Sequence, residues 1–165
     1  MPEVSKDESG WLIALAWVSA LEETARDFHG SRPKAFCQRA YEHATRNFLS
    51  RLELDYGLRA AQTEAIKDAV AEYIRVGVLG GAFKDSNQFE LEEVNRNRLE
   101  VSVHQCVYLK SCQALRAEGI ALRDLTCARL GCFRAAVKLL AGIDCDYEMT
   151  AFDLEETCRG ALESK

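Results

Sequence analysis

Near neutral pH, thiols and imidazoles are the side chains best suited to act as nucleophile, proton acceptor or soft metal ligand. The chain carries seven cysteines and three histidines. Four of these groups, His104, Cys106, Cys112 and Cys127, fall within one stretch, LEVSVHQCVYLKSCQALRAEGIALRDLTC, between Leu99 and Cys127. Along it Leu99, Val101 and Val103 alternate with Glu100, Ser102 and His104, the period of a strand with one buried face. If the strand persists to Cys106, His104 and Cys106 share its other face. A thiol where a strand ends and a helix begins meets the positive end of the helix dipole, which favours thiolate, and His104 is placed to take its proton. Cys106 and His104 are therefore the local candidates for nucleophile and base. The structural alternative is a small buried Cys106 and a surface His104. His29, Cys37 and His43 lie on helical or turn segments, where packing or solvation accounts for them.

The elements that must position this stretch follow from periodicity. Residues 10–28 are apolar almost all round for three turns, which predicts a helix that is buried or shared with a partner subunit. Gly30 and Pro33 interrupt the chain, and Phe36, Ala40, Ala44, Phe48 and Leu52 then mark one face of a second helix over residues 33–53. Ile66, Ala69, Val70, Tyr73 and Ile74 mark a third, stopped by Gly77, Gly80 and Gly81. From Gln88 the period becomes two: QFELEEV and RLEVSVH flank Asn95-Arg96-Asn97 as a β-hairpin. A helix from about Cys106 carries Tyr108, Cys112 and Leu115 on one side and ends at Gly119. The next, capped by Asp124 or Thr126, aligns Cys127, Leu130, Phe133, Val137 and Leu140 and ends at Gly142. Cys127 faces inward toward the region of Cys106, while Cys132 lies about 140° round the helix. IDCDYEMTAF reads as a third strand. In the last segment, residues 153–163, Asp153 and Glu156 resemble a helix-start box, and local propensity leans to helix over a closing strand.

The fold class this implies is α+β: an antiparallel sheet of about four strands with several helices packed on it. It forms one domain, with a flexible polar tail over residues 1–9, a helical half over 10–84 and a hairpin-helix-helix-strand half over 85–165. The 165 residues suffice for a core without metal or disulfide support. A net charge of −5 without a basic cluster argues against nucleic acid. The acidic N-terminus and the short apolar run after it argue against a signal peptide or a membrane span, and so for a cytoplasmic protein. An odd number of cysteines in such a compartment implies free thiols, and without a CxxC or HxxxH pair the expectation is no cofactor. Trp11 and Trp17 make the first helix a candidate homodimer surface.

The hairpin with NRNRLEVSVHQCVY, the Cys-bearing helix ending EGI, the helix opening DLTC and the tail with Cys158 resemble the L-2-amino-thiazoline-4-carboxylic acid hydrolase-like proteins, over roughly residues 85–160. These are related to the 4-vinyl reductase small-molecule-binding domains. The family's three cysteines are matched by Cys106, Cys127 and Cys158, whereas Val107 stands in place of a proline and Leu130 in place of an acidic residue. The resemblance implies a cysteine-dependent hydrolase acting on a C–N bond of a small molecule. Cys106 would be the nucleophile, His104 the general base, and Cys127 with Asp124 supporting or alternative catalytic groups. The alternative it implies is a small-molecule-binding or sensor module without catalysis, in which Cys127, Cys132, Glu155 and Cys158 are the candidate zinc ligands.

Overall fold

The computed structural model describes residues 6–30, 34–152 and 157–165. Helices α1 (Lys6–His29), α2 (Lys34–Tyr56) and α3 (Ile66–Leu79) precede a hairpin of β1 (Phe89–Asn95) and β2 (Arg98–His104). Helices α4 (Leu109–Ala117) and α5 (Ala128–Ala141) come next, then β3 (Cys145–Phe152) and β4 (Thr157–Ser164). The fold is α+β with the helices concentrated at the N-terminal side, as the periodicities imply. The sheet is antiparallel, in the order β1-β2-β4-β3.

Alternation sets the two faces of this sheet. Leu99, Val101 and Val103 of β2 are opposite Leu162, Gly160 and Cys158 of β4, and Tyr147 and Met149 of β3 continue the first two rows. These side chains are buried against α3 and α5, with Phe133 of α5 fully enclosed. Glu90, Glu92, Glu100, Ser102 and Arg159 line the opposite face. Helix α2 packs on α5, and α1 packs on α2.

Two local expectations are corrected. The helical leaning of residues 153–163 gives way to a strand from Thr157, while Asp153 and Glu156 lie outside the described residues. Leu, Ala and Glu favour helix in isolation, but pairing with two strands and burial of Cys158 and Leu162 override that preference. The second concerns the helix expected from Cys106, which starts at Leu109 instead, because the chain first turns at Gln105, a left-handed residue with φ 50°. The turn reverses the facing of the residues after it. His104 stays on the outer face of the sheet, whereas Cys106 enters the core with Phe89, Leu109 and Cys127.

Candidate functional site around Cys106

Three elements converge on Cys106. It lies in the turn between β2 and α4, its carbonyl accepting the Leu109 amide at 3.0 Å. Cys158 is the second residue of β4 and sits opposite Val103, so the turn at Gln105 brings Cys106 back over it. The Cys158 thiol donates a hydrogen bond to the Cys106 sulfur. From the first turn of α5, Arg129 brings its guanidinium to the same sulfur. That guanidinium is held over the Phe83 ring at 4.5 Å from its centroid, with Tyr108 at 5.5 Å and Phe89 at 5.7 Å. Aromatic faces attract such a cation and fix its direction.

The electrostatic consequence is a thiolate. Hydrogen bonding from Cys158 lowers the Cys106 pKa to about 6, against a desolvation effect that raises it; the Arg129 charge, the Tyr108 backbone amide and an Arg129 hydrogen bond add to the lowering. Cys158 moves the opposite way, because it keeps the proton that Cys106 gives up and also loses solvation. The pair thus shares one proton near neutral pH, with the negative charge on Cys106. The contributing amide is that of Tyr108, immediately ahead of α4. The partner thiol takes the place expected of histidine.

His104 is engaged elsewhere. Its Nδ1 pairs with Thr157 Oγ1 at 3.0 Å, its cross-strand neighbour, and its Nε2 with Glu90 Oε1 at 3.0 Å. The ring therefore ties three strands' outer edges together rather than facing the Cys106 sulfur. Cys127 does share the core with Cys106, but its Sγ caps α5 by accepting the Leu130 amide at 3.5 Å. Burial, foremost, drives its pKa well above the ordinary thiol value. Cys112 is likewise pushed up to about 12, mainly by burial. Asp124 ends a 3-10 turn, Leu122–Asp124, just before α5.

Among the described residues the candidate zinc ligands Cys127, Cys132 and Cys158 do not assemble. Cys132 faces Thr45 and Tyr73 on the α2 and α3 side of α5, whereas Cys158 sits on Cys106, and Glu155 lies outside the described residues. Among the described residues no three His, Cys, Asp or Glu side chains come together in a way that could hold a metal ion. Two contributors to the site escape local reading. Arg129 appears in sequence only as a polar residue between apolar positions of α5. Cys158 becomes a neighbour of Cys106 only once its segment is known to be the strand beside β2.

Comparison with known proteins names no family for the chain: no family model matches it, and no curated protein does. Among solved structures it is similar to an unliganded Fe(II) H-NOX protein from K. algicida, at 15% identity and a TM-score of 0.44, covering 81% of this chain and 63% of that one. A second similar structure, solved in a study of heme distortion in the H-NOX family, has 12% identity and a TM-score of 0.46, covering 100% of this chain and 73% of the other. The chain thus spans under two thirds of the first of these proteins. Among the described residues, no helix is long and apolar enough to cross a membrane.

Proposed function

We propose that this chain is a cysteine-dependent hydrolase that opens a C–N bond of a small molecule, with Cys106 as nucleophile. The observation that carries the reading is the placement of the Cys106 sulfur between the Cys158 thiol and the Arg129 guanidinium, an arrangement that favours its thiolate. The choice of a C–N bond rests on the resemblance to the amino-thiazoline carboxylate hydrolase-like proteins. A thiolate already formed at neutral pH needs no histidine to generate it. In the reaction its sulfur attacks an electrophilic carbon, forming a C–S bond as the C–N bond breaks, and the proton kept on Cys158 passes to the departing nitrogen. Water then cleaves the C–S bond, which returns the thiolate to Cys106 and a proton to Cys158. Arg129 balances the negative charge carried by the site throughout. That all seven cysteines are free fits a cytoplasmic setting, where thiols stay reduced.

Iodoacetamide labelling of each cysteine against pH, read by peptide mass spectrometry, tests this. Cys106 is expected to label first, with an apparent pKa near 6, and Cys106→Ser to abolish hydrolysis across a panel of cyclic amidines, thiazolines and amides. An ordinary thiol titration at Cys106, or undiminished hydrolysis by Cys106→Ser, would remove the nucleophile. A second reading, a small-molecule-binding module without chemistry, draws on an apolar groove of about 570 Å³ between α3 and β1, lined by Ile74, Val78, Leu79, Phe89 and Leu91. It predicts that ligands raising the melting temperature of the protein do so equally for Cys106→Ser.

A further inference from the structure

We infer that Cys106 and Cys158 form a peroxide-sensitive dithiol, which closes to an intramolecular disulfide and reversibly shuts the site; this regulatory role rests on the hydrolase reading, while the disulfide itself does not. Three observations meet here. The register of β2 and β4 sets Cys158 opposite Val103, and the turn at Gln105 folds Cys106 onto it, so the two sulfurs meet as hydrogen-bonded partners although 52 positions separate them in the chain. Both thiols are buried, Cys106 at 9% and Cys158 at 5% exposure, yet Cys106 is flanked by exposed Gln105 and Val107 in a surface turn. With so little of the Cys106 residue exposed, an oxidant as small as hydrogen peroxide is the kind suited to reach it. A bulky one is not. Finally, of the other thiols, Cys127 caps α5 through its sulfur, Cys132 points toward Thr45 and Tyr73, Cys145 lies at the far end of β3, Cys37 lies on α2, and Cys112, on α4, is near enough to feel the Cys106 charge but is the hydrogen-bonding partner of neither sulfur.

The chemistry balances with a hydroperoxide as the electron acceptor. The Cys106 thiolate attacks one peroxide oxygen, the S–O bond forms as the O–O bond breaks, and hydroxide leaves, giving a sulfenic acid on Cys106. The Cys158 sulfur then attacks the Cys106 sulfur; the S–S bond forms, the S–O bond breaks, and the hydroxyl leaves with the Cys158 proton as water. Two electrons pass from the two thiols to the peroxide. An external dithiol reverses the step by exchange through a mixed disulfide. Because the nucleophile and its proton partner are both consumed, the disulfide has neither thiolate nor stored proton with which to hydrolyse a substrate.

The test uses the full chain, reduced and then treated with stoichiometric hydrogen peroxide at neutral pH. Non-reducing peptide mapping is expected to yield a Cys106–Cys158 linked peptide that dithiothreitol releases, with loss of most iodoacetamide labelling at Cys106 and its recovery on reduction. In Cys158→Ser, dimedone is expected to capture the sulfenic acid at Cys106 in place of the linked peptide. Peroxide that drives Cys106 to sulfinic or sulfonic acid while Cys158 remains a free thiol would overturn the inference, as would a linkage to any other cysteine. The map of the unsubstituted chain decides this even if Cys158→Ser fails to fold. It also reads no hydrolysis, so a correct disulfide with an inactive protein would count against the hydrolase, and an active protein without the disulfide would count against the switch.

Discussion

At the scale of single residues, charge placement rather than proximity in sequence decides what Cys106 does. His104 is two positions away yet hydrogen-bonds Thr157 and Glu90 on the outer face, while Arg129, from another element, faces the sulfur. The two give opposite predictions. Arg129→Gln removes a full positive charge from beside the thiolate and should raise the apparent Cys106 pKa by about one unit, slowing its labelling roughly tenfold near pH 5. Arg129→Lys should recover only part of this, since an ammonium lacks the planar stacking that Phe83 and Tyr108 offer a guanidinium. His104→Gln should leave the labelling curve where it is and lower stability instead, because Thr157 is buried and loses a partner. A Cys106 titration that tracks His104 and ignores Arg129 would reverse this assignment of roles.

At the scale of elements, close approach to α5 defines the sheet's core face. A Cβ on Gly160 would run into Leu130 of α5 and into the Glu148 carbonyl at 2.6 Å, so Gly160→Ala should lower stability by about 2–3 kcal/mol in urea unfolding. Shortening Leu130 to Ala in the same chain should not restore it, since the backbone collision persists and a cavity is added. On the other side of α5, Arg134 is buried, donating to the Cys145 carbonyl at 2.7 Å and to Glu42 of α2 at 2.8 Å. Desolvation works against the Glu42 charge, but hydrogen bonds from Arg134 and Arg39 and the Lys138 charge prevail and hold its pKa at about 2. A folded-state value below the unfolded one means stability that is present above about pH 4.5 and is lost as pH falls toward 2. Glu42→Gln should therefore destabilise the protein at pH 7 by about 2–4 kcal/mol, chiefly by leaving Arg134 buried without its carboxylate, and should flatten the acid limb of the melting curve. These elements also show what local pattern can carry. The β1-β2 hairpin is legible because its alternation and its Asn-rich turn lie within one short window, and α5 because five apolar residues keep a helical period up to Gly142. The strand character of β4 is not, for TCRGALES has no local reason to extend, and β2, one of the two strands it pairs with, lies far back in the chain. The pairing of Cys106 with Cys158 inherits that blindness: Cys106 could be singled out from its own stretch, whereas the thiol beside it could not.

At the scale of the whole molecule, α1 is the element whose role the rest of the fold leaves least complete. Its C-terminal half is anchored: Ala25 is fully buried, Glu22 accepts the Tyr41 hydroxyl, and Arg26 reaches Thr126 at 3.4 Å. Its N-terminal half instead presents Trp11, Leu12, Ile13 and Trp17 to solvent, Trp17 at 74% exposure. The apolar character of residues 10–21 predicts burial, and a single copy of the chain provides it only in part. Exposed apolar side chains of this kind, two tryptophans among them, have the composition of an interface core, and self-association is the use tested first. Sedimentation velocity over a rising concentration series should accordingly show the monomer giving way to a dimer, with tryptophan emission shifting to the blue as it forms. Trp17→Glu places a charge in the centre of that surface and should return the protein to a monomer at every concentration. Because Trp17 itself is exposed while α1 reaches the rest of the fold through its neighbours Val18 and Ser19 and through Glu22, Ala25 and Arg26, the same variant should keep its Cys106 labelling rate and melting temperature at low concentration. A chain that stays monomeric throughout, with emission typical of solvated indole, would assign the stripe to a different partner and leave the site at Cys106 independent of assembly.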